Sequence, residues 1–144
     1  TLETNGTGFV RMVTAAFRYF AQQKGGHLAV ISSIAGTKGL GAAPAYSATK
    51  RFQNTYIDAL EQLAHIQKLP IRFTDIRPGF VATGLLNDGK HYPMLMHTEK
   101  VARHLVCALE KKKRIVVIDW RYRILVALWR LIPPFFWKRL PVRN

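Results

Sequence analysis

The order in which hydrophobic periodicity changes along the chain constrains its fold more than any other feature. Phe9, Met12, Val13, Ala16, Phe17 and Phe20 recur at three- and four-residue steps, which predicts an amphipathic helix over residues 7–23, closed by Gly25–Gly26. The short run His27–Ile31 ends in Ser32–Ser33 and a loop containing Gly36, Gly39 and Gly41, the pattern of a buried parallel strand with a turn at its carboxyl end. Pro44 sits at the start of a second helix over 45–66, where Phe52, Tyr56, Ala59, Leu60 and Leu63 keep helical spacing. Pro70 announces the strand Ile71–Ile76, and Pro78–Gly79 ends it. A third helix over 98–112 and a strand over Arg114–Ile118 follow. Helix, strand, helix, strand, helix, strand is the signature of an α/β parallel sheet covered by helices on both faces, with ligands at the carboxyl ends of the strands. The functional loops are therefore expected at 32–44, at 77–97 and from 119 onward.

Composition narrows the classes. The 144 residues are 49% apolar, enough for one folded core and too many for a disordered chain. The net charge is +14, nine units of it in residues 99–144, which suggests an anionic partner: a phosphate-bearing cofactor, a nucleic acid or an acidic membrane surface. Cys107 is the single cysteine, so no intrachain disulfide or thiolate cluster can form and a reducing, cytoplasmic location is expected. Beside Val101, Leu105 and Ala108 it reads as a small core residue. The five histidines show no metal-ligand spacing. No secretory signal, repeat or long linker is visible, and the division is one domain over 1–118 followed by a basic aromatic tail over 119–144.

Tyr46 and Lys50 are four apart at the start of the second helix, so both side chains share one face. A tyrosine is a poor acid or base at neutral pH because its reference pKa is about 10. A neighbouring ammonium favours the phenolate and brings the group toward proton transfer with a carbonyl or alcohol oxygen. Ser32 and Ser33, at the end of the preceding strand, place hydroxyls near that same oxygen. Taken alone the pair also fits a partly exposed helix face.

The neighbouring residues sharpen the reading. I-S-S-I-A-G at 31–36 followed by Y-S-A-T-K at 46–50, with Ser33 thirteen residues before Tyr46, resembles the catalytic segment of the short-chain dehydrogenase/reductase family. N-G-T-G at 5–8 and R-P-G-F-V-A-T at 77–83 are similar to two further blocks of that family, in the same order. The resemblance implies a Rossmann-like doubly wound sheet, an NAD or NADP cofactor, and interconversion of a carbonyl and a secondary alcohol. It implies Tyr46 as general acid/base, Lys50 as the group that lowers its pKa and binds the nicotinamide ribose, and Ser33 as the residue that positions the substrate oxygen. Asn5 would hold a water linking Lys50 to solvent, while Pro78, Gly79 and Thr83 would pass along the nicotinamide. Plainer roles stay open, with Asn5 and Thr83 as helix N-caps. G-T-K-G-L-G at 36–41 has the wrong glycine order for a dinucleotide fingerprint, and it reads as a flexible loop beside the substrate. The family's own fingerprint is not found in these 144 residues. The expectation is accordingly a carboxyl-terminal part of the family's domain, a partial sheet with later strands and helices only. Roughly 100 residues of strand and helix units would precede it, the isolated chain would be a fragment of weak or no activity, and the longer parent would be a homo-oligomer.

The tail, D-W-R-Y-R-I-L-V-A-L-W-R-L-I-P-P-F-F-W-K-R-L at 119–140, mixes aromatic, aliphatic and basic residues. Its longest uncharged run, Leu131–Trp137, is far below the roughly 20 residues that cross a bilayer. An amphipathic carboxyl-terminal helix is expected, and two destinations stay open for it. It packs over an apolar or lipid-like substrate or another subunit, or it lies peripherally on a membrane. In the second case a non-catalytic membrane-binding module becomes the alternative function. No nucleic-acid partner is expected, because no reader motif is present.

Overall fold

A computed structural model describes residues 1–82, 92 and 94–142. A π-helical turn at Glu3–Gly8 leads into α1 (Phe9–Gln22), followed by β1 (Gly26–Ile31) and a 3₁₀ turn at Ile34–Gly36. The chain continues through α2 (Pro44–Ile66), β2 (Ile71–Arg77), α3 (Thr98–Glu110) and β3 (Ile115–Val117), then α4 (Trp120–Leu131) and the single turn α5 (Pro134–Trp137). The strands form one parallel sheet in the order β1-β2-β3, with Gly26 opposite Ile71 and Asp75 opposite Ile115.

Alternation along β2 distributes the two cores. Ile71 and Phe73 point to one face, where Leu28 and Val30 of β1 meet Val13 and Phe17 of α1 and Ile57, Leu60 and Ala64 of α2. Ile76 points to the other, where Ile118, Tyr122 and Val126 pack with Val101, Leu105 and Leu109 of α3. Central β2 is consequently buried along nearly its whole length.

This arrangement corrects the expectation of a partial doubly wound sheet with later strands and helices only. Among the described residues, beginning with the turn at Glu3, three parallel strands form the sheet and five helices accompany them, with cores packed on both of its faces. Counting strands undervalued the helices, since burial of both faces of the central strand is what sustains such a sheet. The expectation for Cys107 is also corrected: it is exposed, because α3 turns Val101, Leu105 and Ala108 inward and leaves position 107 off that stripe.

Candidate active site

Pro44 stands in the first turn of α2, where a missing N–H costs nothing, and so fixes where Tyr46 and Lys50 fall on the helix. Tyr46 is exposed, whereas Lys50, one turn on, is buried at the carboxyl end of β1. The Lys50 ammonium donates to the Gln53 side-chain oxygen at 3.1 Å and, at 3.4 Å, to the carbonyl of Ile31. It also lies 5.7 Å from the centre of the Tyr46 ring. Burial pushes the Lys50 pKa below the ordinary lysine value, and the nearby Asp75 carboxylate partly opposes that.

Asn5 reaches the same place from the other end of the chain. Its side-chain N–H donates to Thr49 Oγ1 at 3.3 Å, and its backbone carbonyl accepts from Gln53 Nε2 at 2.9 Å. Gln53 thus joins Asn5 to Lys50 through one amide. Asn5 lies inside the π-helical turn, and α1 is preceded by Gly8 without a side-chain cap, so Asn5 is not the N-cap of that helix.

Ser33, two residues beyond β1, caps the 3₁₀ turn, accepting from Ala35 N at 3.1 Å. Its hydroxyl donates to the Pro78 carbonyl over a long 3.4 Å. Pro78 and Gly79 follow β2 directly, which brings the ends of the two strands together. Gly79 lies so close to the Tyr122 ring that a Cβ there would come within 2.2 Å of it. The Tyr122 hydroxyl accepts from Phe80 N at 3.1 Å and donates to the Met94 carbonyl at 3.2 Å, fixing this turn to α4. Thr83 lies outside the described residues.

Beneath Ser33 is a buried polar cluster that sequence reasoning did not assemble. Ser32 Oγ donates to Asp75, Asn54 Nδ2 donates to both Ser32 and Asp75, and Arg77 pairs with Asp75 at 2.6 Å. Asp75 is wholly buried. Removing one member of such a pair costs about 3–5 kcal/mol, because the other charge is left buried alone. Gly36 sits against this cluster, where a Cβ would come 2.3 Å from Asn54 Oδ1. The usable sequence signals were the i, i+2 opposite charges Asp75 and Arg77 around Ile76 at the end of the strand and the Gln one turn beyond Lys50.

The loop at 36–41 is fastened rather than free. Trp137 Nε1 donates to the Gly39 carbonyl at 2.7 Å, and the Lys38 ammonium donates to the Ile132 carbonyl at 2.8 Å. The tail therefore packs on the loop that separates Ser33 from Tyr46.

The family model for short chain dehydrogenases matches residues 1–92. The chain belongs to the short-chain dehydrogenase family. Among similar proteins, an uncharacterized oxidoreductase of Mycobacterium tuberculosis is 33% identical, the match covering 81% of this chain and 46% of that protein. Dehydrogenase/reductase SDR family member 7B of Bos taurus is 32% identical over 99% of this chain and 47% of its own. The chain spans about half the length of the curated relatives it matches. A short-chain dehydrogenase from Burkholderia cenocepacia, solved with NADP, superposes with a TM-score of 0.81 at 18% identity, over 99% of this chain and 58% of that one. One from Sphingobium yanoikuyae, solved with NADPH, gives 0.73 at 16%, over 99% and 57%. These likenesses show the fold. They also correct the expectation of a carboxyl-terminal part that lacks an amino-terminal fingerprint. The family model is matched from residue 1, and both solved dehydrogenases are matched over 99% of this chain. The expectation came from setting short motifs in order, whereas the superpositions take in the strands and helices over 99% of this chain.

Proposed function

We propose that this short-chain dehydrogenase is an NAD(P)-dependent oxidoreductase that interconverts a small carbonyl compound and a secondary alcohol. The observation that carries the reading is exposed Tyr46 set one helical turn before a buried Lys50 ammonium, at the carboxyl end of a parallel strand. The donor set suits the cofactor. Two of the three Lys50 N–H groups are used in the bonds to Ile31 and Gln53, and the third, with Tyr46, fits the hydroxyls of a nicotinamide ribose. Pro78, Gly79 and, by the family pattern, Thr83 belong to the segment beside the nicotinamide. When bound, the nicotinamide supplies or takes the hydride. The two solved dehydrogenases described with NADP and NADPH support that choice of cofactor.

The chain's own residues handle the proton and the geometry. Tyr46 gives its hydroxyl proton to the carbonyl oxygen during reduction and recovers one from the alcohol during oxidation. The Lys50 cation beside the ring stabilises the charge that develops on the phenolic oxygen. The Ser33 hydroxyl, whose own proton is engaged only by a long bond to Pro78 while its oxygen accepts from Ala35 N, turns that proton to orient the substrate oxygen. Asn5, through Gln53, keeps the ammonium in place.

Two finer parts belong to the same reading. Half-buried Met94 and exposed Leu95 after the 77–93 segment suit an apolar or lipid-like substrate. Exposed Met12, Tyr19 and Phe52 on α1 and α2 suit a homo-oligomer joined through those helices. The test is NAD(P)H-dependent reduction of a carbonyl probe by the chain and by Tyr46→Phe. Loss of turnover by about 10²-fold or more is expected, with binding followed separately by nicotinamide fluorescence and little changed. Turnover retained in Tyr46→Phe would overturn the role of Tyr46, and a chain that neither binds nor turns over NAD(P)H would overturn the whole reading.

A further inference from the structure

The tail has an inner and an outer side. On the inner side, α4 buries Tyr122 and Val126 in the second core, and Trp129 meets Trp137 edge-on with ring centres 5.3 Å apart. Trp137 and Ile132 then fasten the segment to Gly39 and Lys38. This anchoring leaves Trp120, Ile124, Leu128 and Leu131 in a row at helical spacing on the outer side, continued by Phe135 and Phe136 after the Pro133–Pro134 bend. All six are more than half exposed, and Leu131 is 78% exposed. A contiguous apolar surface of this kind on an otherwise folded domain marks a contact site.

Charge selects the occupant. Exposed Arg123, Arg130, Lys138 and Arg139 flank the row, and no Asp or Glu occurs from Trp120 to the end of the chain. The Arg139 guanidinium lies 3.8 Å from the centre of the Phe135 ring, so apolar and cationic groups are presented side by side. A second copy of this chain on the same face would set cation against cation. Among the described residues no helix is long and apolar enough to cross a membrane. A twelve-residue helix such as α4 is about 18 Å long, against a hydrocarbon core of roughly 30 Å.

We infer that the outer face of α4 and α5 docks on an anionic lipid bilayer, lying in the plane of the interface. Trp120, Ile124, Leu128, Leu131, Phe135 and Phe136 enter the boundary between headgroups and acyl chains, and the four cations meet lipid phosphates and carboxylates. Trp129 and Trp137 stay turned toward the protein and keep the docked face joined to the loop between Ser33 and Tyr46.

The test is flotation of the full chain with neutral phosphatidylcholine vesicles and with vesicles that also contain phosphatidylserine. Binding is expected only to the second kind, falling as salt is raised. Arg123→Gln and Arg130→Gln should each weaken it about fivefold, the effect of about 1 kcal/mol per cation at such a surface. The triple variant Ile124→Gln, Leu128→Gln, Leu131→Gln should not float, and its unchanged circular dichroism would show that it folds. Brominated lipid should quench the fluorescence of the chain, less so in Trp120→Phe. Tyr46→Phe should bind vesicles normally, which separates failure of this inference from failure of the enzymatic reading. Equal binding to both vesicle types, binding that survives the triple substitution, or no binding to either would overturn the inference. So would self-association or RNA binding in place of vesicle binding, if the same triple substitution abolished it.

Discussion

Lys50 carries the most informative chemistry at the scale of single residues. Its burial lowers its pKa, so its ammonium is lost at a lower pH than that of an exposed lysine. Between that lowered value and the ordinary one the folded state binds fewer protons on this group than the unfolded state does. Its effect on folding is therefore to raise stability as pH rises through that window. Turnover that depends on the ammonium runs the other way and falls on the alkaline side. Gln53→Leu removes a charge-assisted hydrogen bond of about 1.5 kcal/mol, which should move the alkaline limb of the turnover profile down by about one pH unit. Gln53→Glu should move it up. A limb that neither variant displaces would mean that Gln53 only packs. The sequence reading found Tyr46 and Lys50 because their types and spacing carry chemistry. It passed over Gln53, a neutral amide without a motif, whose role depends on Asn5 arriving from 48 residues away.

At the scale of elements, the helix boundaries follow from local rules, and three of them end alike. Lys24, Lys68 and Lys112 adopt left-handed backbone with φ of 56°, 56° and 48°, just beyond α1, α2 and α3. In each case the next N–H turns back to a helical carbonyl, as with Leu69 N to Ala64 O at 2.8 Å. Left-handed backbone costs a residue with a Cβ about 1 kcal/mol. Lys68→Gly, exposed and away from the site, should therefore raise stability by roughly 0.5–1 kcal/mol, read as a higher urea midpoint with an unchanged slope. A lower midpoint would show that the Lys68 side chain contributes more than its backbone costs. The closure of α1 at Gly25–Gly26 was legible as glycine punctuation, but the lysine ends were not, since a lysine does not announce a positive φ.

Two apolar cores, one on each face of β2, and a tail that fastens the loop between them describe the whole molecule. Removing the Trp137 indole takes away its bond to Gly39, its contact with Trp129 and its place beneath Lys38. Trp137→Ala should speed amide exchange at Lys38–Ala42 by about tenfold or more, the effect of about 1.4 kcal/mol of lost local protection. Exchange in β1 and β2 should stay unchanged, because neither touches the indole. Faster exchange throughout the sheet would mean that the tail supports the entire fold and not only this loop.

The sequence by itself determined the alternation of helices and strands, their ends to within a few residues, the common face of Tyr46 and Lys50, and the family. All of these rest on neighbours within a turn or two, where sterics and hydrophobic period act locally. Only the tertiary structure decided which side chains fill the core on each face of β2, that Gln53 joins Asn5 to Lys50, and that Asp75 and Arg77 are buried beneath Ser33. It alone exposed Cys107 and seated Trp137 on Gly39, 98 residues away. Such partnerships arise when faces of distant elements meet, and the desolvation of each polar group then depends on atoms that its own stretch of chain does not specify.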